Sequence, residues 1–290
     1  MNTFIVKSFM EGVHLAVYSS IKPGCYHRLS LDKDARYLVS SLVSVIDYLD
    51  QASMIGEKIR RGELAAPHAS WGTLLGKALR EAYRWIPDHV FPDIIVPHLI
   101  YASVLAYTDV DSIVKDSGKI RRTLNIFLHG TGWRDIKVFI DALRSIHRYD
   151  MVDHLRTSGI DHVHALESGM TLEDVFRVLG SKWPGFMSLD TRYTELFDHV
   201  KRLIEYNRKY SDPESAVVAT YLDLIEKRLP SWAEKMVEEA RNNGLMTSRE
   251  GSKMLFNIDL RLRKEKRLFR EYIGLVAIIT SLAIYEGLRP

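Results

Sequence analysis

Ile273-Gly-Leu-Val-Ala-Ile-Ile-Thr-Ser-Leu-Ala-Ile-Tyr285 is the longest apolar run in this 290-residue chain, and charged residues flank it. As an α-helix it would extend roughly 20 Å, short of the roughly 30 Å hydrocarbon layer of a bilayer. It has the right length for a helix buried on all sides in a globular core. This reading predicts an all-α protein with no membrane span. Outward from that run, helical spacing recurs almost from end to end. Ile5, Phe9, Val13, Ala16 and Val17 share one helix face, as do Tyr193, Leu196, Phe197, Val200, Leu203 and Ile204. Leu38, Val39, Leu42, Val43, Val45, Ile46 and Leu49 cover more than half a helix surface, which predicts a central helix there.

Start and stop signals agree with the periodicity. Thr171-Leu-Glu-Asp174 and Thr247-Ser-Arg-Glu250 read as capping boxes, and Asp212-Pro213 sets an N-cap before a proline at N1. Gly244 stands where a helix from Trp232 to Arg241 would end, and Pro97 either starts or kinks the helix carrying Leu99 to Ala106. No run alternates long enough to make a strand. With no linker, composition break or internal repeat, residues 1–290 read as one domain of roughly a dozen helices.

Composition narrows the function classes. A hydrophobic share of 46% supports a large core, and a charged share of 27% excludes general disorder. The net charge of +3 does not by itself call for a nucleic-acid or membrane partner. Cys25 is the single cysteine, which excludes an internal disulfide and points to a reducing compartment. Lys7, Glu11 and His14 interrupt the apolar pattern of the first twenty residues, unlike a secretory signal, so the expected location is cytoplasmic.

Walker-type loops, dinucleotide fingerprints, His-Glu-x-x-His and nucleophile elbows are missing. Four candidates remain. Lys22-Pro-Gly-Cys-Tyr-His-Arg28 would deliver Lys22, His27 and Arg28 together at a helix mouth, as a phosphate site or as a solvated turn. Asp259 and Arg263 lie four apart on one face, as an ion pair or as two groups aimed into a cleft. Arg261, Arg263, Lys264, Lys266, Arg267 and Arg270 form a basic run that could hold polyphosphate or simply face solvent. His147, Asp150, Asp153, His154, Asp161, His162 and His164 suit a divalent metal by type, but no recognised ligand spacing is present and no metal is assigned.

At Lys22-Pro-Gly and His27-Arg28 the chain resembles the triphosphoribosyl-dephospho-CoA synthase family, which has a Pro-Lys-Pro-Gly-x-Val-[His/Asp]-Arg turn after its first helix. Asp135 with Ala142-Leu-Arg144 resembles its Asp…Ala-Ile-Arg helix, and Tyr193 to Phe197 its Tyr-x-x-x-Phe segment. Tyr221-Leu-Asp-Leu-Ile225 with Leu229-Pro230 resembles the helix before its Pro-Asp motif. Ile258-Asp-Leu-Arg-Leu-Arg263 resembles its Leu-Asp-x-x-Leu-Arg, and Gly287 falls where its last helix commonly ends.

The resemblance implies an all-α fold and a reaction joining the triphosphoribosyl group of ATP to 3′-dephospho-CoA with loss of adenine. It implies phosphate contacts from Lys22, His27, Arg28 and Arg263, a cleft carboxylate at Asp259, and Mg2+ if the reaction survives. Several motifs depart from the family. Its Asn-Thr-x-x-Gly stretch is Phe91-Pro-Asp-Ile-Ile-Val-Pro-His98, where only Asp93 could ligate a metal. Its Pro-Asp is Pro230-Ser231, an acid is replaced at Gly274, and another acidic position falls near Trp183-Pro184-Gly185. The expectation is a divergent relative binding an ATP- or dephospho-CoA-like ligand between helices, with transfer left open. The alternative is a non-catalytic helical scaffold, and a homo-oligomer is compatible with either. Nucleic-acid binding through Arg261 to Arg270 ranks last of three readings.

Overall fold

Ile273–Glu286 is a helix buried continuously from Ile273 to Ile284, as its unbroken apolar composition requires. It belongs to a computed structural model that describes residues 3–30 and 32–289, with the backbone alone for His162. The described residues form fifteen α-helices, a few 3-10 turns and no strand. In order they are α1 (Thr3–Tyr18), α2 (Ala35–Val43), α3 (Ile46–Arg60), α4 (Trp71–Trp85) and α5 (Pro92–Thr108). Then come α6 (Ser117–His129), α7 (Trp133–Ser145), α8 (Tyr149–Thr157), α9 (His162–Glu167) and α10 (Leu172–Gly180). The last five are α11 (Glu195–Tyr210), α12 (Pro213–Ile225), α13 (Ser231–Asn242), α14 (Arg249–Lys264) and α15 (Ile273–Glu286).

Local chemistry sets most boundaries. Thr171 and Asp174 close the capping box that opens α10, and Asp212 accepts from the Ser215 N–H at 2.9 Å behind Pro213. Gly244 adopts φ +85° just past α13. The box expected at Thr247 does not form: the N-cap is one residue later, where the Ser248 hydroxyl accepts from the Gly251 N–H at 2.9 Å, while Thr247 donates to Gly244 O. Pro97 lies inside α5, whose first residue is Pro92.

The expected central helix over 38–49 is instead two helices, broken at Ser44 and Val45. Each half buries its own face, so Leu38, Leu42, Val45 and Leu49 are inside while Val43 and Ile46 are 48% and 40% exposed. The centre belongs to α5 and α15. α1 lies along α15, α3 along α5, α4 against α7, α11 against α12, and α13 against α14. A Cβ on Gly12 would stand 2.3 Å from Ser281 Cα, so α1 and α15 meet backbone to backbone. Buried side chains from Ile5 to Leu288 belong to one hydrophobic cluster. No single helix among the described residues is long and apolar enough to cross a membrane.

Most polar groups inside this core are matched, although Trp71 Nε1 and the Ser215 hydroxyl have no partner among the described residues. His98 of α5 bonds Ile94 O through Nδ1 at 2.7 Å and the Ser281 hydroxyl through Nε2 at 2.9 Å. Burial pushes its pKa down to about 4, so the ring stays neutral.

A structural latch and a candidate ligand cleft

Pro23 and Gly24 turn the chain after α1, and Gly24 needs its left-handed φ of +75° because a Cβ there would also stand 3.1 Å from Arg267 O. This turn brings the segment 22–28 onto α14. The Asp259 carboxylate accepts from the Gly24 N–H at 2.8 Å, from His27 Nε2 at 3.2 Å and from Arg263 Nε at 2.7 Å. Burial acts to raise the Asp259 pKa, but the bonds from His27, Arg263 and Gly24 outweigh it and hold the carboxyl below its ordinary value. Arg263 also donates to Asp32 at 2.9 Å and to Cys25 O at 2.6 Å, and Tyr221 donates to Pro23 O at 2.6 Å.

His27, Asp259 and Arg263 therefore converge on one another rather than on a ligand space. Lys22 turns away from them. Its ammonium is fully buried and donates to the Ser19 hydroxyl at 2.7 Å, to Ser19 O at 3.1 Å and to Val17 O at 3.4 Å, closing the end of α1. Burial pushes its pKa down to about 7. Arg28 faces the other way and pairs with Glu214 and the Ser20 hydroxyl. As the chain stands, His27, Asp259 and Arg263 form a latch whose groups are occupied by each other and by Gly24, Asp32 and Cys25 O, while Lys22 and Arg28 are held by separate partners at its edges.

The basic run is likewise divided. Arg261 and Arg267 pair with Glu265, Arg261 also lies 3.9 Å over the Trp232 ring, and Arg270 pairs with Asp32. The His/Asp group is scattered too. Asp150 is held by Arg148, Asp153 by Arg156, His147 by Asp88 and His154 by Ser181, while Asp161 caps α9. The side chain of His162 lies outside the described residues. Among those described, no three His, Cys, Asp or Glu side chains are placed to hold a metal ion.

Beside the latch opens a cleft of about 620 Å³. Tyr26 and Arg270 reach it from the latch: the Phe269 N–H donates to Gly24 O at 2.9 Å, and the Arg270 guanidinium sits 5.2 Å from the Tyr26 ring centre. Arg148, whose guanidinium is fixed on Asp150 by two bonds of 2.9 Å, and Trp183 form another side. Asp93, the second residue of α5, lies in the cleft lining with 4% exposure. Among the described residues its carboxyl has no hydrogen-bond partner beyond its own N–H, and burial raises it to about 6 against the partial attraction of Arg148.

Two glycines make room for this acid. A Cβ on Gly185 would lie 2.2 Å from Asp93 O, and a Cβ on Gly274 would lie 2.7 Å from Asp93 Oδ2. The stretch 91–98, the turn at Trp183-Pro184-Gly185 and Gly274, far apart in sequence, thus meet at one residue, Asp93. The lining carries Asp34, Asp88, Asp93, Asp150 and Glu271 against Arg148 and Arg270, an acidic excess. Sequence reasoning singled out Asp93, Asp150, Trp183 and Arg270, but not Tyr26, Arg148 or Glu271, whose spacing carries no motif. No protein-family model, no curated protein and no solved structure matches this chain.

Proposed function

We propose that this chain is a divergent relative of triphosphoribosyl-dephospho-CoA synthases that binds a phosphorylated nucleotide or CoA-like ligand in the Asp93 cleft. One observation carries this reading. Three of the four stretches where the resemblance expects the reaction-centre motifs are in contact at Asp93, Pro230-Ser231 being the exception, and they adjoin a cleft of ordinary ligand size. Where the resemblance places a carboxylate on residue 274, Gly274 leaves a space, and the Asp93 carboxylate occupies it from the facing helix.

The acidic excess of the lining repels a bare polyphosphate, so the ligand enters with its charge neutralised. A resident metal centre does not fit the residues present. Magnesium carried on phosphate oxygens needs only one or two carboxylates from the protein, and Asp93 is free of other partners. Arg270 and Arg148 face phosphate oxygens, and Tyr26 and Trp183 offer ring faces. His27, Asp259 and Arg263 act indirectly, by holding the turn that carries Tyr26 beside Arg270 on the wall, and Lys22 ties that turn to the end of α1.

Calorimetric titration with ATP and with 3′-dephospho-CoA tests this. Binding is expected with magnesium, and is expected to weaken roughly tenfold on chelation or in Asp93→Ala, the loss typical of one charged contact. Absence of binding by either ligand, in the presence of magnesium, rejects the reading in favour of a non-catalytic scaffold.

A further inference from the structure

α14 presents a stripe of exposed residues that no other element covers. Arg249, Lys253, Phe256, Leu260, Lys264 and Arg267 recur at spacings of three and four, so those within the helix lie on one face. The stripe has apolar residues at its middle, Phe256 at 39% and Leu260 at 51% exposure, and cations towards both ends. Arg249, Lys253 and Lys264 have no acidic partner among the described residues; Arg267 is 3.7 Å from Glu265. A purely solvated basic face would not place its two large apolar side chains together at the centre.

The opposite chemistry lies elsewhere on the same chain. The break between α2 and α3, with the end of α4, leaves a groove of about 490 Å³ whose lining contains no lysine or arginine. Val43, Ile46 and Trp85 are 48%, 40% and 71% exposed there, Tyr48 closes the floor, and Asp47 and Glu81 supply negative charge. Arg84, beside it, is engaged by Glu81 at 3.0 Å. The groove sits on helices that pack on α5 and α7, whereas α14 packs on α13.

We propose that the α14 stripe of one molecule docks in the α2–α4 groove of a second copy, Phe256 and Leu260 against Trp85 and Ile46, with the flanking cations near Asp47 and Glu81. The pairing is heterologous, joining two different faces, so each dimer retains one free stripe and one free groove. Such a contact extends into chains or closes into a ring. A single helix face is at the small end of specific interfaces, so association is concentration-dependent and weakened by salt.

Sedimentation equilibrium over a concentration series in low and high salt tests the proposal, using Leu260→Glu and Trp85→Glu. Both sites are mostly exposed, and unchanged circular dichroism and thermal unfolding will verify that the variants fold. Wild-type protein is expected to exceed the monomer mass at high concentration and to fall back in high salt, while each variant alone stays monomeric. An equal mixture of the two variants is expected to form a dimer and nothing larger, because one intact stripe and one intact groove remain. Monomeric wild-type protein at the highest concentration overturns the proposal. So does self-association that survives either substitution, or a mixture of the variants that stays monomeric.

Discussion

Asp93 holds an ionisable carboxyl where burial penalises its charge, and the sign of that penalty separates a functional acid from a helix cap. Its folded pKa of about 6 exceeds the ordinary 3.8, so the folded state keeps a proton longer than the unfolded chain. Asp93 therefore destabilises the fold as pH rises through that window, fully so above 6. Asp93→Asn should stabilise the protein at pH 8, on the order of 2 kcal/mol or a few degrees in Tm. The gain should vanish near pH 4. His98 works in the opposite sense: its folded pKa of about 4 lies below 6.5, so its contribution is complete above 6.5 and falls as pH drops towards 4. Removing Asp93 should expose that loss as a steeper decline in acid. Destabilisation by Asp93→Asn at pH 8 would instead identify the carboxyl as a structural cap of α5.

The two arginines of the latch should differ in the same assay. Arg263 joins Asp259, Asp32 and Cys25 O with a side chain 24% exposed, so Arg263→Ala takes charged hydrogen bonds from a buried carboxylate that keeps Gly24 and His27, and should cost about 2 kcal/mol. Arg28, half-exposed on Glu214, should cost no more than about 1 kcal/mol. Urea unfolding of both variants checks the order. Equal, small losses would mean that the Asp259 network contributes little.

Among the elements, α1 and α15 are a pair with little tolerance. Gly12 faces Ser281 so closely that any side chain must push the helices apart. Gly12→Leu should lower stability by roughly 1–3 kcal/mol or prevent folding, as overpacking of a close-packed interior does. Gly132, with open space around its Cβ position, is the control: Gly132→Ala should shift the midpoint far less. The α2–α3 break shows why an apolar count misleads at this scale. Seven apolar residues over 38–49 suggest a helix buried on most sides, yet a bend at Ser44 gives each half a separate inner face and leaves Val43 and Ile46 outside.

For the whole molecule, the decisive measurement is turnover. With ATP, 3′-dephospho-CoA and magnesium, little or no adenine should appear, even at high protein concentration. Departure of the base builds positive charge beside a polyphosphate, which demands several preorganised charges, and one lost contact commonly costs on the order of a hundredfold. On the proposed relationship, Ser231 and Gly274 stand where two acids are expected, and Asp93 supplies one carboxylate near Gly274. Chromatographic detection of adenine with a triphosphoribosylated product over many turnovers would show that this one acid, with its neighbours, suffices.

Helix positions, most caps and the buried fate of Ile273 to Ile284 were legible in the sequence because they depend on spacing within a few residues. The pairing of Asp259 with Arg263 was legible for the same reason, since four residues make one helical turn. That this pair closes on His27 and Gly24, leaving Lys22 and Arg28 to face opposite ways, depends on where the turn after α1 meets α14. The cleft is further from local reading still. Asp93, Gly185 and Gly274 have no common motif here, and only the crossing of α5 with α15 beside the Trp183 turn makes an empty glycine position and a distant carboxyl into neighbours. Local periodicity determines which residues are helical and inward; tertiary packing alone decided which inward polar groups satisfy one another and which is left facing a space.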